Sequence, residues 1–246
     1  MHHPRLSGHH VFEGQIWKIR PDTHKNGLLA VETRSTSQKR VQMYLCNLSV
    51  RNALPISHPE PWWLGIAGLS EGVLLLHGYE SPDLPIHKDL SAYDAGGEVI
   101  WAAPGLRFEG LLPGAVVVRA PYIEEPFLLD LHSGLHKGPA PQDYRLHSET
   151  FTRESNASLL FPERRNDNPD LRWADELDLS MVTLRAACID GDAGTWISLS
   201  LLHAGYPAVP LLPPFALPDV PAETFFVWDR WLLMLGKAGE LWVFEL

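Results

Sequence analysis

The sequence predicts an all-β chain, and three observations carry that reading. Apolar residues alternate with polar ones in short runs, as in Arg40–Leu48, where Val41, Met43 and Leu45 alternate with Gln42 and Asn47. This is the period of a strand with one face buried. Gly, Pro, Asn and Asp clusters punctuate the chain at short intervals, which suits tight turns between strands. Val116-Val117-Val118 runs unbroken, the pattern of a strand buried on both faces.

Taken in order, strands are expected over His10–Arg20, Gly27–Thr33 and Arg40–Leu48. Arg51–Pro61 holds Pro55, Pro59 and Pro61 and reads as a connector. Trp62–Leu69 and Gly72–Tyr79 form a strand pair around Ser70-Glu71-Gly72, and a loop with Pro82 and Pro85 follows. Leu90–Tyr93 and Glu98–Trp101 flank the turn Asp94-Ala95-Gly96-Gly97. Leu106–Leu112 and Gly114–Arg119 are joined by Pro113-Gly114, and Pro126–Leu131 turns through His132-Ser133-Gly134. Tyr144–Arg153 and Ser158–Phe161 are expected to pair across Ser155-Asn156-Ala157.

Residues 162–180 are polar and read as a surface insertion with a short helix, capped by Asn168, started by Pro169 and running through Trp173. Met181–Asp190 and Thr195–His203 resume the strands. Residues 206–221 hold six prolines, too many missing donors for a central strand, and are expected to lie extended on the surface. Thr224–Trp228, Trp231–Leu235 and Glu240–Leu246 end the chain as strands. Residues 1–246 read as one all-β domain.

Composition narrows the function classes. With 45% hydrophobic and 20% charged residues the chain can bury a full core. A formal charge of −10 argues against nucleic acid as partner, because that surface needs a basic field. No apolar run is long enough to enter a membrane, and the first residues lack the apolar core of a secretory signal, so a cytoplasmic protein is expected. Cys46 and Cys188 lie far apart in apolar runs and read as buried free thiols.

One hairpin type recurs. Tyr93-Asp94-Ala95-Gly96-Gly97-Glu98-Val99-Ile100-Trp101 is the fullest copy. Leu129–His136, Ile189–Trp196 and Leu235–Trp242 are the others, the last without the Asp. The Asp is expected to accept hydrogen bonds from turn amides, the Gly to adopt the left-handed conformation, and the Trp to fill space between sheets. These Asp-x-x-Gly turns followed by Trp resemble the blade repeats of quinoprotein-type (PQQ-like) β-propellers. The chain as a whole also resembles a small uncharacterised bacterial family of propeller-like proteins. The resemblance implies a small, irregular propeller of five or six antiparallel blades, each roughly 40–50 residues. A β-sandwich or another antiparallel β arrangement is the alternative. Pairing of the final strand with Gln15–Ile19 is expected to close the ring. The resemblance does not extend to a quinone, and no cofactor is expected.

His77, Tyr79, His87 and Lys88 form the densest polar group and are the expected ligand contacts, on a loop over a rigid scaffold. His77 and His87 are candidate metal ligands, although His-x9-His is not a recognised zinc spacing, and His132 and His136 are candidates that a tight turn would bring to one ion. Gly-x-Ser-x-Gly, phosphate-loop and dinucleotide fingerprints are absent. The leading reading is a non-enzymatic propeller-type binding module for a protein or peptide. The rival is a metal-assisted hydrolase or lyase using the His77/His87 loop.

Overall fold

The computed structural model describes residues 4–24, 27–58, 62–81, 84–148, 159–160, 162–165, 173–179, 182–191, 194–202, 208–211, 215–216, 225–236 and 239–246. The chain forms two compact units, one spanning Phe12–Ala157 and the other combining Met1–Val11 with Ser158–Leu246. Both are built from antiparallel sheets, so the all-β class holds. The first predicted strand is in fact two, β1 (Arg5–Val11) and β2 (Gln15–Pro21), and they join different sheets. Gly14 breaks the run at φ +85°, where a Cβ would stand 2.7 Å from the Arg34 carbonyl oxygen.

Within Phe12–Ala157, three four-stranded meanders follow one another in chain order. The first comprises β2, β3 (Leu28–Ser35), β4 (Arg40–Asn47) and β5 (Asn52–Ile56). The predicted connector thus contains an edge strand, where Pro55 needs no ladder partner on its open side. The second comprises β6 (Leu64–Ser70), β7 (Val73–Ser81), β8 (Leu84–Tyr93) and β9 (Val99–Ala103). The third comprises β10 (Arg107–Leu112), β11 (Ala115–Arg119), β12 (Phe127–Asp130) and β13 (His136–Pro139).

Alternate residues of the central strands feed successive layers. Leu74 and Leu76 pack with Ala30, Met43 and Leu45 of the first meander, whereas Val73 and Leu75 pack with Val116, Val118 and Leu129 of the third. Val117, between them, points the other way, toward Leu112 and Tyr144. The unbroken valine run is therefore buried on both faces, as its sequence implies. Each such aliphatic side chain contributes about 1.5–3 kcal/mol on burial. Residues 144–148 form one helical turn rather than the predicted strand. Asp143 anchors it, its carbonyl accepting from His147 N and its carboxylate 2.8 Å from His147 Nε2.

Carboxylates pin the meanders together at their first turns. Asp22, only 1% exposed, accepts from Glu71 N at 3.0 Å and Gly72 N at 2.7 Å in the β6–β7 turn. Glu71 in turn accepts from Gly114 N at 2.9 Å in the β10–β11 turn. Two of the recurring hairpins behave as predicted. Asp94 Oδ1 accepts from Gly96 N and Glu98 N, and Asp130 Oδ1 accepts from His132 N and Ser133 N. Gly97 and Gly134 take φ +84° and +68°. Trp101 Nε1 donates to Leu131 O at 2.9 Å, and a Cβ on Gly134 would meet its ring at 2.7 Å. The tryptophan of one meander thus seats on the hairpin of the next.

The other unit holds β14 (Leu159–Leu160), β15 (Glu163–Arg165), β16 (Trp173–Leu179), β17 (Val182–Gly191), β18 (Gly194–Leu202), β19 (Val209–Pro210) and β20 (Phe215–Ala216). It ends with β21 (Phe225–Trp228), β22 (Trp231–Leu235) and β23 (Glu240–Glu245). One sheet runs β1-β23-β22-β21-β14, and the other runs β15-β16-β17-β18-β19, with β20 also on β18. The terminal strand pairs with Arg5–Val11, not with Gln15–Ile19, because β2 belongs to the first meander. Leu159–Leu160 pairs with β21, and 149–153 of the strand expected beside it lie outside the described residues. Part of the polar stretch is strand: Leu177 and Leu179 reach the core while Glu176 and Asp178 alternate with them. The predicted helix over 168–172 falls outside the described residues, and Trp173 opens β16. Most of 206–221 also falls outside them, with Val209–Pro210 and Phe215–Ala216 against β18.

The third and fourth recurring hairpins lie between β17 and β18 and between β22 and β23, inside their sheets. The first two instead join the last two strands of a meander, so the four are not equivalent in place. Cys46 and Cys188 are buried and not joined in a disulfide, and burial pushes the Cys46 thiol up to about 12.

Candidate functional site

The stretch expected to be a loop over His77–Lys88 is mostly a long hairpin, with His77 and Tyr79 on β7 and His87 and Lys88 on β8. Pro85 is accommodated because β9 pairs only with Leu90–Tyr93 and leaves the earlier part of β8 open on that side. Pro82 and Asp83 lie outside the described residues, as does the side chain of His87, whose backbone pairs with Tyr79. His77 is 1% exposed, with Nδ1 3.2 Å from Gly78 O and its ring edge-on to Tyr79 at 4.7 Å. Both rings lie over Gly65, where a Cβ would meet Tyr79 Oη at 2.9 Å and His77 Nε2 at 3.2 Å. Burial, and then the Glu32 charge, raises the Tyr79 phenol above its ordinary value.

His132 and His136 do not converge on one point. His132 Nε2 sits 3.2 Å from Glu71 Oε2, whereas the His136 ring packs on Phe127 at 5.2 Å. Among the described residues, no group of three or more His, Cys, Asp or Glu side chains stands together as a metal site would.

Two arginine-centred clusters carry the polar chemistry of this unit. The first joins two meanders. β6 is an edge strand, so its outward amides and carbonyls need partners from elsewhere. Glu32 Oε2 accepts from Ile66 N at 3.1 Å, Arg34 donates to Leu64 O at 2.8 Å and Trp62 O at 3.3 Å, and Lys18 Nζ donates to Ile66 O at 2.7 Å. Arg34 pairs with Glu32 at 2.7 Å, with side chains 11% and 2% exposed, and lies over the rings of Trp17 and Trp62. Every charged group here is spent on a neighbour. Sequence reading missed this clasp, although one signal exists: Glu32 and Arg34 continue the inward-facing register of Leu28 and Ala30 on β3.

The second cluster opens to solvent. A cleft of about 670 Å³ is lined by Lys88, Arg107, Arg119, Tyr122, Ile123 and Glu124. Among the described residues, Lys88 is the one expected ligand contact that lines it. Asp89 takes φ +57° and accepts from Gly105 N at 2.6 Å, which ties the middle of β8 to the entry of β10. Arg119 is held from behind: Nε donates to Glu109 Oε1 at 2.9 Å, Nη2 to Tyr144 Oη at 3.3 Å, and Nη1 to Glu124 O. Burial pushes the Glu109 carboxyl up, but hydrogen bonds from Arg119 and Tyr144 and the nearby guanidinium charges outweigh it and hold it below its ordinary value. Tyr122 is fully exposed at φ +66°, a backbone region that bulky residues rarely enter. Ile123 beside it is 52% exposed. The cleft therefore offers a fixed cation, two further cations, one acidic residue (Glu124) and an apolar rim.

Residues 22–101 match the model of a family described as "Domain of unknown function (DUF4905)". The match runs from the buried Asp22 to Trp101, so it includes Glu32, Arg34, His77 and Lys88 but stops short of Arg107 and Arg119. No curated protein matches the chain. Among solved structures, the chain is similar to the β-propeller domain of Cps50 (Swd1) from Myceliophteria thermophila, at 9% identity and a TM-score of 0.38, covering 96% of this chain and 99% of that one.

Proposed function

We propose that the protein is a non-enzymatic, propeller-type binding module whose cleft takes an acidic, partly apolar segment of a protein or peptide partner. One observation carries this reading: Lys88, Arg107 and Arg119 line a single cleft in a chain whose formal charge is −10. A local basic site on an acidic protein selects ligands by the position of their charge, not by net attraction. The pinned guanidinium of Arg119 offers planar recognition of a carboxylate with little side-chain entropy left to lose. Tyr122 and Ile123 supply apolar contact at the rim, and Tyr and Arg are the residue types that dominate binding energy at interfaces.

The test is fluorescence anisotropy with a labelled peptide of alternating Glu and Leu. Binding that weakens as salt rises, and by tenfold or more in the Lys88→Glu/Arg107→Glu double variant, is the expected result (about 1.4 kcal/mol per tenfold). Equal binding by the double variant and the parent chain overturns the reading.

A further inference from the structure

A second pocket, of about 410 Å³, lies on the first meander, where the segment before β2 passes the ends of β3 and β4. Glu13, Thr33, Ser35, Gln38, Arg40 and Gln42 line it, with Gly14, and among the described residues no larger aliphatic or aromatic side chain takes part. Glu13 and Arg40 stand 3.7 Å apart, so the lining carries one charge of each sign and no net charge. The remaining groups are two carboxamides and two hydroxyls. Arg40 Nη2 reaches Gln42 Oε1 at 3.4 Å, and Gln38 N donates to Ser35 Oγ at 3.4 Å, both long contacts that a better partner would replace.

Thr33 supplies an independent observation. Among the described residues of the lining it is the only buried one, 1% exposed, and its Oγ1 has no hydrogen-bond partner among them. A buried hydroxyl without a partner costs stability, and such groups are rare enough in folded proteins to call for an explanation.

We propose that this pocket binds a small neutral polyhydroxylated ligand, of the monosaccharide class. An anion would face Glu13 and a cation would face Arg40, whereas a neutral ligand meets both without repulsion. Carboxylate, guanidinium and carboxamide groups are planar and can bridge two adjacent hydroxyls of one sugar ring, except that Gln42 meets a ligand through Oε1 alone, since its Nε2 donates to Ile56 O at 3.1 Å. Ser35 and Thr33 both donate and accept, as a sugar hydroxyl does, so a ring hydroxyl can complete the set that Thr33 leaves open.

Saturation-transfer NMR on the full chain, with D-glucose, D-galactose and D-mannose as probes and glycine and inorganic phosphate as controls, tests the assignment. At least one hexose is expected to give a saturable signal that glycine and phosphate do not displace. Thr33→Val keeps the shape of the residue and removes the unpaired hydroxyl, so it is expected to raise Tm while weakening hexose binding severalfold. Gln38→Ala, at an exposed position that should not disturb folding, is expected to weaken binding as well. The Lys88→Glu/Arg107→Glu variant should leave the hexose signal unchanged, which separates this site from the acidic-segment cleft. No hexose signal, displacement by glycine, or full hexose binding by Gln38→Ala overturns the proposal.

Discussion

Arg34 and Arg119 make an instructive pair, since each meets a glutamate beside aromatic rings in the same compact unit. Arg34 and Glu32 are 11% and 2% exposed, and their hydrogen bonds go to the free edge of β6 in the neighbouring meander. Arg119 and Glu109 are 24% and 19% exposed and stand beside Arg145, which is 72% exposed. The first group replaces the missing neighbour of an edge strand. The second is held in place by its own sheet and turns its remaining surface to a cleft. Burial and the availability of edge-strand donors separate a structural clasp from a binding surface, although the residue types are nearly the same.

The largest expected effect breaks the clasp. Arg34→Ala leaves the buried Glu32 without its ion-pair partner and takes a donor from two carbonyls, and is expected to cost about 3–5 kcal/mol by urea denaturation. A loss below about 1 kcal/mol, the range of exposed pairs, would erase the contrast drawn above. Asp22→Ala should come next, because three backbone amides, of His24, Glu71 and Gly72, lose their acceptor. A cost of about 2–3 kcal/mol is expected, with hydrogen exchange at the Glu71 and Gly72 amides rising first.

Arg119→Ala sharpens the other side of the comparison. Its stability cost should stay near 1 kcal/mol, while affinity for the acidic peptide falls about tenfold, read by anisotropy alongside the melt. The smallest effect is a pH dependence. Glu109 is held below its ordinary value of 4.5 in the folded chain, so the ionised form favours folding. That contribution is complete above pH 4.5 and is lost as pH falls through the lowered folded value. Glu109→Gln should therefore flatten the acid side of a Tm-against-pH curve. An unchanged slope would show that the Arg119 network does not hold the carboxylate.

Some of this was legible in the chain. Val116-Val117-Val118 announces a doubly buried strand because unbroken aliphatics have no wet face to show. Asp94 with Gly97, and Asp130 with Gly134, announce their turns because the side-chain acceptor and the left-handed glycine are local requirements. The loop expected at His77–Lys88 was a misreading of local signals. Pro82 and Pro85 suggest irregular backbone, but an edge position on β8 tolerates a proline, and edges are assigned by neighbours distant in sequence. The break at Gly14 was equally hidden, because the obstacle is the Arg34 carbonyl, twenty residues away by number (34 − 14).

By itself, then, the sequence determined the all-β class, the doubly buried strands and the two Asp–Gly hairpins. These follow from side-chain period and from φ preferences that act within a few residues. Only the tertiary structure decided that Arg5–Val11 pairs with the terminal strand, that Glu32 and Arg34 serve the edge of β6, and that Lys88, Arg107 and Arg119 share one cleft. Those outcomes depend on which backbone edges are left unpaired and which charged side chains lie within reach of them, and neither is a property of any short stretch of the chain.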